Sequence, residues 1–459
     1  MGVPTAPVIT VAFEDVVKGF ALDKGMPNQR FTFVPHPIAN IPAPTCREYL
    51  SGNDPVTGKP IVQEIIGALT GPLTEEEKKT GFIERPIPPR LIGPDTEENL
   101  RRLFYANGWT DGLPIVLPTE ERIAKMLKGT SRRPDEVVGK MQASSVREFW
   151  SYTVEKVAVN AVMAGAKPEH FPVILAIAST GVPSLFTSTT SFARMVVVNG
   201  PIRNKIGMNA GIGALGPFNE ANAVIGRAWT LLSKNLGNAG SPGSVYMGSH
   251  GNNLNYNNIC FPEKEESLPE GWKPFHVQKG FKPEESVVSV FSGHYLIYGD
   301  ALNNSRCSPP LGQCFYHELI RVLMQDFRSI GPYRTVKATL LLDPTVARRL
   351  KEAEGFGTKE KLQQWLKENT FMPVWEYWVS YPKDFQAAKA GVEPLASWLK
   401  LPAETIVPIS RFDPPKPVEV PGRLLREPIS IVVVGGETLP VWYVGNFDYL
   451  ASASIDKWR

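Results

Sequence analysis

The sequence has few of the features that mark secreted, membrane or nucleic-acid-binding proteins. Its four cysteines (Cys46, Cys260, Cys307 and Cys314) are too few for a disulfide framework, and no two form a Cys-x-x-Cys pair. No apolar run is long enough to span a membrane, and the first residues carry no basic segment typical of a signal peptide. The net charge is only +3, with no run of Lys or Arg that would favour nucleic acid. We therefore expect a cytoplasmic protein with reduced thiols that binds neither membrane nor nucleic acid.

Proline is abundant, at 42 residues, and indicates many ordered loops in an otherwise ordinary globular chain. Strand, helix and strand patterns in residues 1–40 predict a partial βαβ unit. Residues 41–97, rich in proline and charge, predict a connecting arm. Residues 98–345 predict the main α/β domain, a mixed sheet with flanking helices. Residues 346–459 predict a helical segment and a last strand at ISIVVVGG, and no internal repeat is apparent.

A glycine-rich segment, NAGIGALGPFNEANAVIG, contains Gly211, Gly213 and Gly216 in the G-x-G-x-x-G spacing of dinucleotide-binding loops. That function requires a strand directly before the first glycine and an acidic residue about 20 positions after the loop. The nearest predicted strand ends well before Gly211, and Leu236 and Gly237 stand where the acidic residue should be. NAD is therefore not expected.

Two other interpretations of these glycines stay open. They could serve only a tight turn and close helix packing. Alternatively, the loop offers backbone amides to an anionic or carbonyl ligand at the start of a helix that Asn219 caps, and nearby asparagines add side-chain amides. On the second interpretation the predicted substrate-binding residues are Asn199, Asn209, Gly211, Gly213 and Asn222.

Histidine, cysteine and glutamate cluster in the loops between positions 250 and 294. Thiol, imidazole and carboxylate groups together suit acid–base catalysis or metal binding. In the catalytic interpretation His250 or His276 moves protons with Glu263, and Cys260 is a nucleophile or ligand. The spacing matches no zinc motif, so a transition metal is an alternative. Each residue also has a structural alternative, such as a buried Cys260.

Five blocks in the same order resemble the large domain of UGSC-type proteins, bacterial (seleno)proteins named for a Sec/Cys-Gly-Ser-Cys motif. They are WTDGLPIVLPTEERIAKMLKGT, TVEKVAVNAVMAGAKPEHFPVILA, VVVNGPIRNKIGMNAGIGALGPFNEANAVIGRA, PFHVQKGF and IVVVGG. The resemblance is best over residues 98–345, while FVPHP near the N-terminus resembles the tail of the family's small domain. The Cys-Gly-Ser-Cys motif itself does not occur in this chain. The blocks add Asp111, Glu155 and Lys156 to the candidate catalytic residues.

The resemblance implies thiol-linked redox or carbon–heteroatom bond chemistry on a small polar organic substrate, as in the substrate-handling subunits of glycine-reductase-type selenoenzymes. We expect a bacterial enzyme subunit that works as an oligomer, with a small Cys-Gly-Ser-Cys protein as one candidate partner. Two alternatives remain. One is a metal-dependent lyase or hydrolase that uses the His/Cys/Glu cluster, and the other is a non-catalytic scaffold subunit of a hetero-oligomer.

Overall fold

The computed structural model describes residues 4–38, 41–81, 89–141, 150–190, 192–240, 243, 246–301, 315–326, 338–408 and 429–459. Cys307 and Cys314 lie outside these ranges. The strands in the described residues are β1 (Val8–Thr10), β2 (Thr32–Val34), β3 (Val137–Lys140), β4 (Ser151–Thr153), β5 (Ala193–Asn199), β6 (Ile259–Pro262), β7 (Val287–Gly293), β8 (Leu296–Asp300), β9 (Ala338–Leu342), β10 (Phe371–Pro373), β11 (Ile406–Pro408), β12 (Ile429–Val433), β13 (Val441–Gly445) and β14 (Asp448–Ser454).

The helices of the same residues are α1 (Glu14–Asp23), α2 (Ala43–Ser51), α3 (Ile61–Thr70), α4 (Glu97–Ala106), α5 (Glu120–Leu127), α6 (Val154–Met163), α7 (Phe171–Ser179), α8 (Ile202–Lys205), α9 (Glu220–Asn235), α10 (Phe275–Gln278), α11 (Tyr316–Asp326), α12 (Pro344–Glu352), α13 (Lys359–Glu368), α14 (Val374–Ser380), α15 (Pro382–Lys389) and α16 (Leu395–Trp398). None of them is both long and apolar enough to cross a membrane.

Two four-stranded mixed sheets form the centre of the molecule and have the same topology. Sheet A has the strand order β6-β5-β7-β14, and sheet B has the order β12-β9-β13-β8. In each sheet the first two strands are parallel and the remaining neighbours are antiparallel. The chain therefore contains a structural duplication, although no repeat is apparent in its sequence.

The two sheets exchange their last strands. After β7 of sheet A the chain passes through two residues into β8 of sheet B, and after β13 of sheet B it passes through two residues into β14 of sheet A. The crossing requires glycine at both points. A Cβ on Gly293 would lie 2.7 Å from Cγ of Phe447, and a Cβ on Gly445 would lie 2.8 Å from the carbonyl oxygen of Tyr295. The duplicated halves are thus interlocked.

The sheets pack face to face, and helices cover their outer faces. Alternate residues of each strand point to opposite sides. Met195 and Val197 of sheet A meet Leu341 and Val432 of sheet B in the middle layer. The outer face of sheet A packs on α6, α7 and α9, and that of sheet B packs on α11, α12 and α13. This four-layer arrangement confirms the predicted α/β class with a mixed-sheet core and flanking helices.

The N-terminal βαβ segment is also confirmed, because β1 and β2 pair in parallel on either side of α1. Within residues 41–97, α3 packs against β2. Asp54 accepts a hydrogen bond from the amide of Phe33 at 2.5 Å. Arg30 binds the Glu77 carboxylate at 2.6 Å, and this hydrogen bond lowers the pKa of Glu77 to about 2. The described part of the predicted arm therefore contains helices that belong to the N-terminal unit.

Several element predictions are confirmed and others need correction. The predicted strands at β5, β7, β9 and β12 are present, as are the predicted helices α6, α7 and α9. The prediction that the strand at ISIVVVGG is the last one is wrong, because β13 and β14 follow it. The polar segment after α9 also contains β6, four buried residues that complete sheet A.

Candidate functional site

Two adjoining clefts lie where the duplicated halves meet, on either side of the glycine loop (residues 209–219). The α9 cleft, about 290 Å³, is lined by residues 214–216, 222, 223, 254, 257–260, 296 and 443. The strand-end cleft, about 320 Å³, is lined by residues 211–216, 341, 343, 434–436, 438 and 441–443. Ligands of α/β proteins commonly bind at the carboxyl ends of parallel strands, and β9 and β12 end at the second cleft.

Asparagine side chains hold the glycine loop in place. The side-chain amide of Asn222 donates to the carbonyl oxygens of Asn209 and Ala214, at 3.0 and 3.1 Å. Its side-chain oxygen accepts from the backbone amide of Asn209 at 3.2 Å. Asn209 in turn accepts from the amide of Gly211 at 2.8 Å. The amides predicted to bind substrate are therefore occupied by loop backbone, and they make the loop rigid.

The loop also contacts sheet B closely. The amide of Gly435 donates to the carbonyl oxygen of Ala210 at 3.0 Å. A Cβ on Gly436 would lie 2.2 Å from Cγ1 of Ile212, so only glycine allows this approach. Within the loop, Gly213 has a φ of 70°, which side chains rarely adopt. These contacts fix the loop as the shared wall of both clefts.

The first turn of α9 borders the α9 cleft through Asn222 and Ala223 and has no side-chain cap. The prediction that the Asn219 side chain caps this helix is wrong, because its amide donates to the carbonyl oxygens of Gly213 and Gly216, at 2.6 and 3.0 Å. No described residue accepts a hydrogen bond from the backbone amides of residues 220–222. Free amides at a helix N-terminus favour an anion or carbonyl oxygen.

Three side chains bring chemistry to the clefts. Cys260 on β6 lines the α9 cleft, and burial raises the pKa of its thiol to about 12, so the thiol is protonated at neutral pH. Tyr443 on β13 lines both clefts. Asp343 after β9 is the one carboxylate that lines either cleft in the described residues. Sequence reasoning did not single out Tyr443 or Asp343, since neither stands in a motif.

Glu263 lies outside the clefts, at the centre of a buried polar cluster. Its carboxylate accepts from the ammonium of Lys359 at 2.7 Å, and neither side chain is exposed. It also accepts from the side chain of Asn199 at 2.8 Å and from the amide of Phe275 at 2.6 Å. The structure thus brings Asn199 and Glu263 together. They lie at a buried contact between the two halves, where a substrate cannot reach them.

The two candidate histidines lie in different environments. His276 follows Phe275 and is fully buried, with Nε2 3.1 Å from the carbonyl oxygen of Lys282 and no partner for Nδ1 among the described residues. His250 is exposed on a loop. The backbone amide of its neighbour Ser249 donates to the carbonyl oxygen of Thr189. Neither histidine lines a cleft, so proton transfer by them remains an untested prediction.

The remaining candidates are bound to surface or anchoring partners. Asp111 accepts from the Arg227 guanidinium through both oxygens, at 2.8 and 2.9 Å, and this ties its turn to α9. Glu155 pairs with Arg90 at 2.7 Å, and Lys156 is exposed next to it on α6. No group of three His, Cys, Asp or Glu side chains in the described ranges is arranged to hold a metal ion.

Comparison with known proteins supports the resemblance through the N-terminal unit. Residues 1–52 match the model of the UGSC family, which covers β1, α1, β2 and α2. The five resembling blocks lie outside this range, so their likeness to the large domain stays a prediction. Neither the curated proteins nor the solved structures give a match.

Proposed function

We propose that this relative of the UGSC family is an enzyme subunit that binds a small polar organic acid in the α9 cleft and cleaves a carbon–heteroatom bond in it. The observation that carries the proposal is the uncapped first turn of α9, whose residues Asn222 and Ala223 line a cleft that also holds Cys260 and Tyr443. A volume of about 290 Å³ suits a small metabolite.

The substrate carboxylate would bind the free backbone amide of Asn222, which lines the cleft. This amide and the dipole of the 16-residue helix α9 favour a negative charge at this position. The rigid glycine loop supports this role, because a fixed backbone loses little entropy when a ligand binds. In this proposal Asn209 and Asn222 act by holding the loop in place.

The side chains in the clefts support bond cleavage better than thiol-linked redox. Cys260 is the only cysteine lining the clefts among the described residues, and its thiol is protonated at neutral pH, which makes it a poor nucleophile for thiol-linked redox. In the cleavage step, a water molecule takes the proton from the carbon next to the carboxylate, and that electron pair forms a double bond to the neighbouring carbon. The bond from that neighbouring carbon to its heteroatom breaks, and the Tyr443 hydroxyl gives its proton to the leaving heteroatom.

Isothermal titration with serine, malate and 3-hydroxypropionate, each of which carries a heteroatom on the carbon next to an acidic C–H, tests binding in the cleft. The variant Ala223→Phe places a large ring in the cleft wall and should abolish the binding of whichever acid the wild type prefers. Val224→Phe is the matched control, since this neighbouring residue of α9 does not line the cleft. Equal affinities in the two variants would contradict the proposed site.

NMR-monitored turnover of the acid that binds best tests the chemistry. Tyr443→Phe should lower turnover by about 10²–10⁴-fold while the acid still binds. Cys46→Ser, in the N-terminal unit, is a control. Full activity of Tyr443→Phe would exclude this role.

The N-terminal unit favours a second candidate, a subunit whose activity needs a partner. Its sheet has only β1 and β2 in the described residues, and parallel pairs usually belong to larger covered sheets. Val62, Ile66 and Leu69 on α3 are exposed on one helix face. Co-purification with a small Cys-Gly-Ser-Cys protein would support this role, and full activity of the isolated chain would end it.

A further inference from the structure

Arg194 is a buried cation without an anionic partner. It lies on β5 and is 4% exposed. Its Nε donates to the carbonyl oxygen of Ser184 at 3.3 Å, and its terminal nitrogens have no hydrogen-bond partner among the described residues. No carboxylate of those residues lies within 4.0 Å of it. Buried charged groups are normally paired, so this guanidinium requires an explanation.

Two phenylalanine rings lie next to the Arg194 guanidinium. The rings of Phe186 and Phe192 have their centroids 5.8 and 5.9 Å from the guanidinium carbon and are perpendicular to each other. Phe192 also stacks on His294, with 4.5 Å between ring centroids. Phe186 is 39% exposed, so one of the two rings next to the guanidinium reaches the protein surface.

We propose that Arg194 binds the carboxylate of an organic acid, whose apolar part lies against Phe186 and Phe192. A guanidinium presents two parallel N–H donors that match a planar carboxylate. Burial alone lowers the pKa of Arg194 to about 10, with no contribution from another charged group. One positive charge balances one carboxylate, whereas a phosphate dianion would need a second cation. Arg194, Phe186 and Phe192 do not line the α9 cleft.

Isothermal titration with sodium benzoate at constant ionic strength tests the proposal. It is done in the Ala223→Phe variant, so that binding in the α9 cleft does not contribute. We expect one benzoate per chain. It should bind more tightly than acetate, because its ring can pack against Phe186 and Phe192. Adding Arg194→Met should weaken binding at least tenfold. Arg194→Lys, which keeps the charge but loses the two parallel donors, should also weaken it. Arg102→Met, an exposed arginine of α4, is the control.

Thermal unfolding separates loss of the site from loss of the fold. Arg194→Met removes an unpaired buried charge, so its midpoint should be equal to or above that of the parent. Arg203→Met breaks ion pairs with Glu265 and Glu266 and should lower the midpoint. If Arg194→Met does not fold, the benzoate affinity of Arg194→Lys is compared with that of the parent instead. The proposal would be overturned if the parent did not bind benzoate, if the Arg194 variant bound it as tightly as the parent, or if inorganic phosphate bound more tightly than benzoate.

The carboxylate could belong to a free acid or to a peptide C-terminus. Titration with Gly-Gly-Phe and with its C-terminal amide distinguishes the two sources. Binding of the free peptide more tightly than benzoate would identify a chain terminus as the ligand, and tighter binding of benzoate would identify a small acid. Both results depend on the Arg194 guanidinium. Equal binding of the peptide and its amide would show that the carboxylate is not recognised and would overturn the proposal.

Discussion

The ion pair between Glu263 and Lys359 leads to a sharp prediction about stability. The two side chains come from different halves of the molecule, Glu263 after β6 of sheet A and Lys359 at the start of α13 over sheet B. Both are fully buried, with Nζ and Oε1 2.7 Å apart. Removing one partner from a buried ion pair costs about 3–5 kcal/mol, because the other charge is left without compensation.

The structure predicts unequal costs for the two single variants. In Lys359→Met the carboxylate of Glu263 keeps three donors, the side chain of Asn199 and the amides of Phe275 and Val433. We therefore expect a loss near 3 kcal/mol, about a 10²-fold change in the unfolding equilibrium. In Glu263→Met the ammonium loses its only hydrogen-bond partner among the described residues. That loss should lie near 5 kcal/mol.

Urea unfolding, followed by tryptophan fluorescence, measures both variants. Lys361→Met is the matched control, because this lysine of the same helix is exposed and should change the free energy of unfolding by less than about 0.5 kcal/mol. The double variant Glu263→Met with Lys359→Met should lose less than the sum of the two corresponding single variants, since no unpaired charge remains. A Lys359→Met protein within about 1 kcal/mol of wild type would refute the reasoning.

Three further predictions concern the cleft walls. The pKa of the Cys260 thiol is about 12 in the folded chain and 9.0 ordinarily. Near pH 8, mass spectrometry should therefore find iodoacetamide attached to Cys46 well before Cys260. The two cysteines should react at equal rates only after denaturation. The folded thiol holds its proton more tightly, so its contribution to stability should be lost as the pH rises from 9 to 12. Gly436→Ala should destabilise the chain by about 1–3 kcal/mol, because the added methyl group clashes with Ile212. Gly357→Ala is the control, since the space around Gly357 is open. Equal melting midpoints of the two variants would contradict this prediction.

The sequence predicted those elements whose own residues carry a strong pattern. Helix α9 has apolar residues at helical spacing over 16 residues, and β5, β7 and β12 consist mainly of apolar residues, typical of buried strands. Strand β6 has four residues in a polar region, and its burial comes from pairing with β5. The duplicated topology was not visible in the sequence. Strand order requires apolar residues at certain positions, but it does not require the same residues in both halves.

The candidate site was predictable only in part. The spacing of Gly211, Gly213 and Gly216 correctly directed attention to a loop beside a cleft. The orientation of Asn222 was not predictable, because its partners are set by how the loop folds back on α9. Tyr443 reaches the clefts from more than 200 positions later in the chain, through strand pairing that no local pattern encodes.

The exchange of β8 and β14 between the sheets has a consequence for synthesis on the ribosome. Strand β7 is complete at Gly293, but its neighbour β14 begins at Asp448, so one edge of sheet A stays unpaired while more than 150 further residues are translated. Strand β8 likewise stays without its partner strand until β13 has been translated. An unpaired strand edge in a nascent chain readily joins other strands. Sheet A can therefore be completed only after β14 has been translated, and the β7 edge stays open to other strands until then.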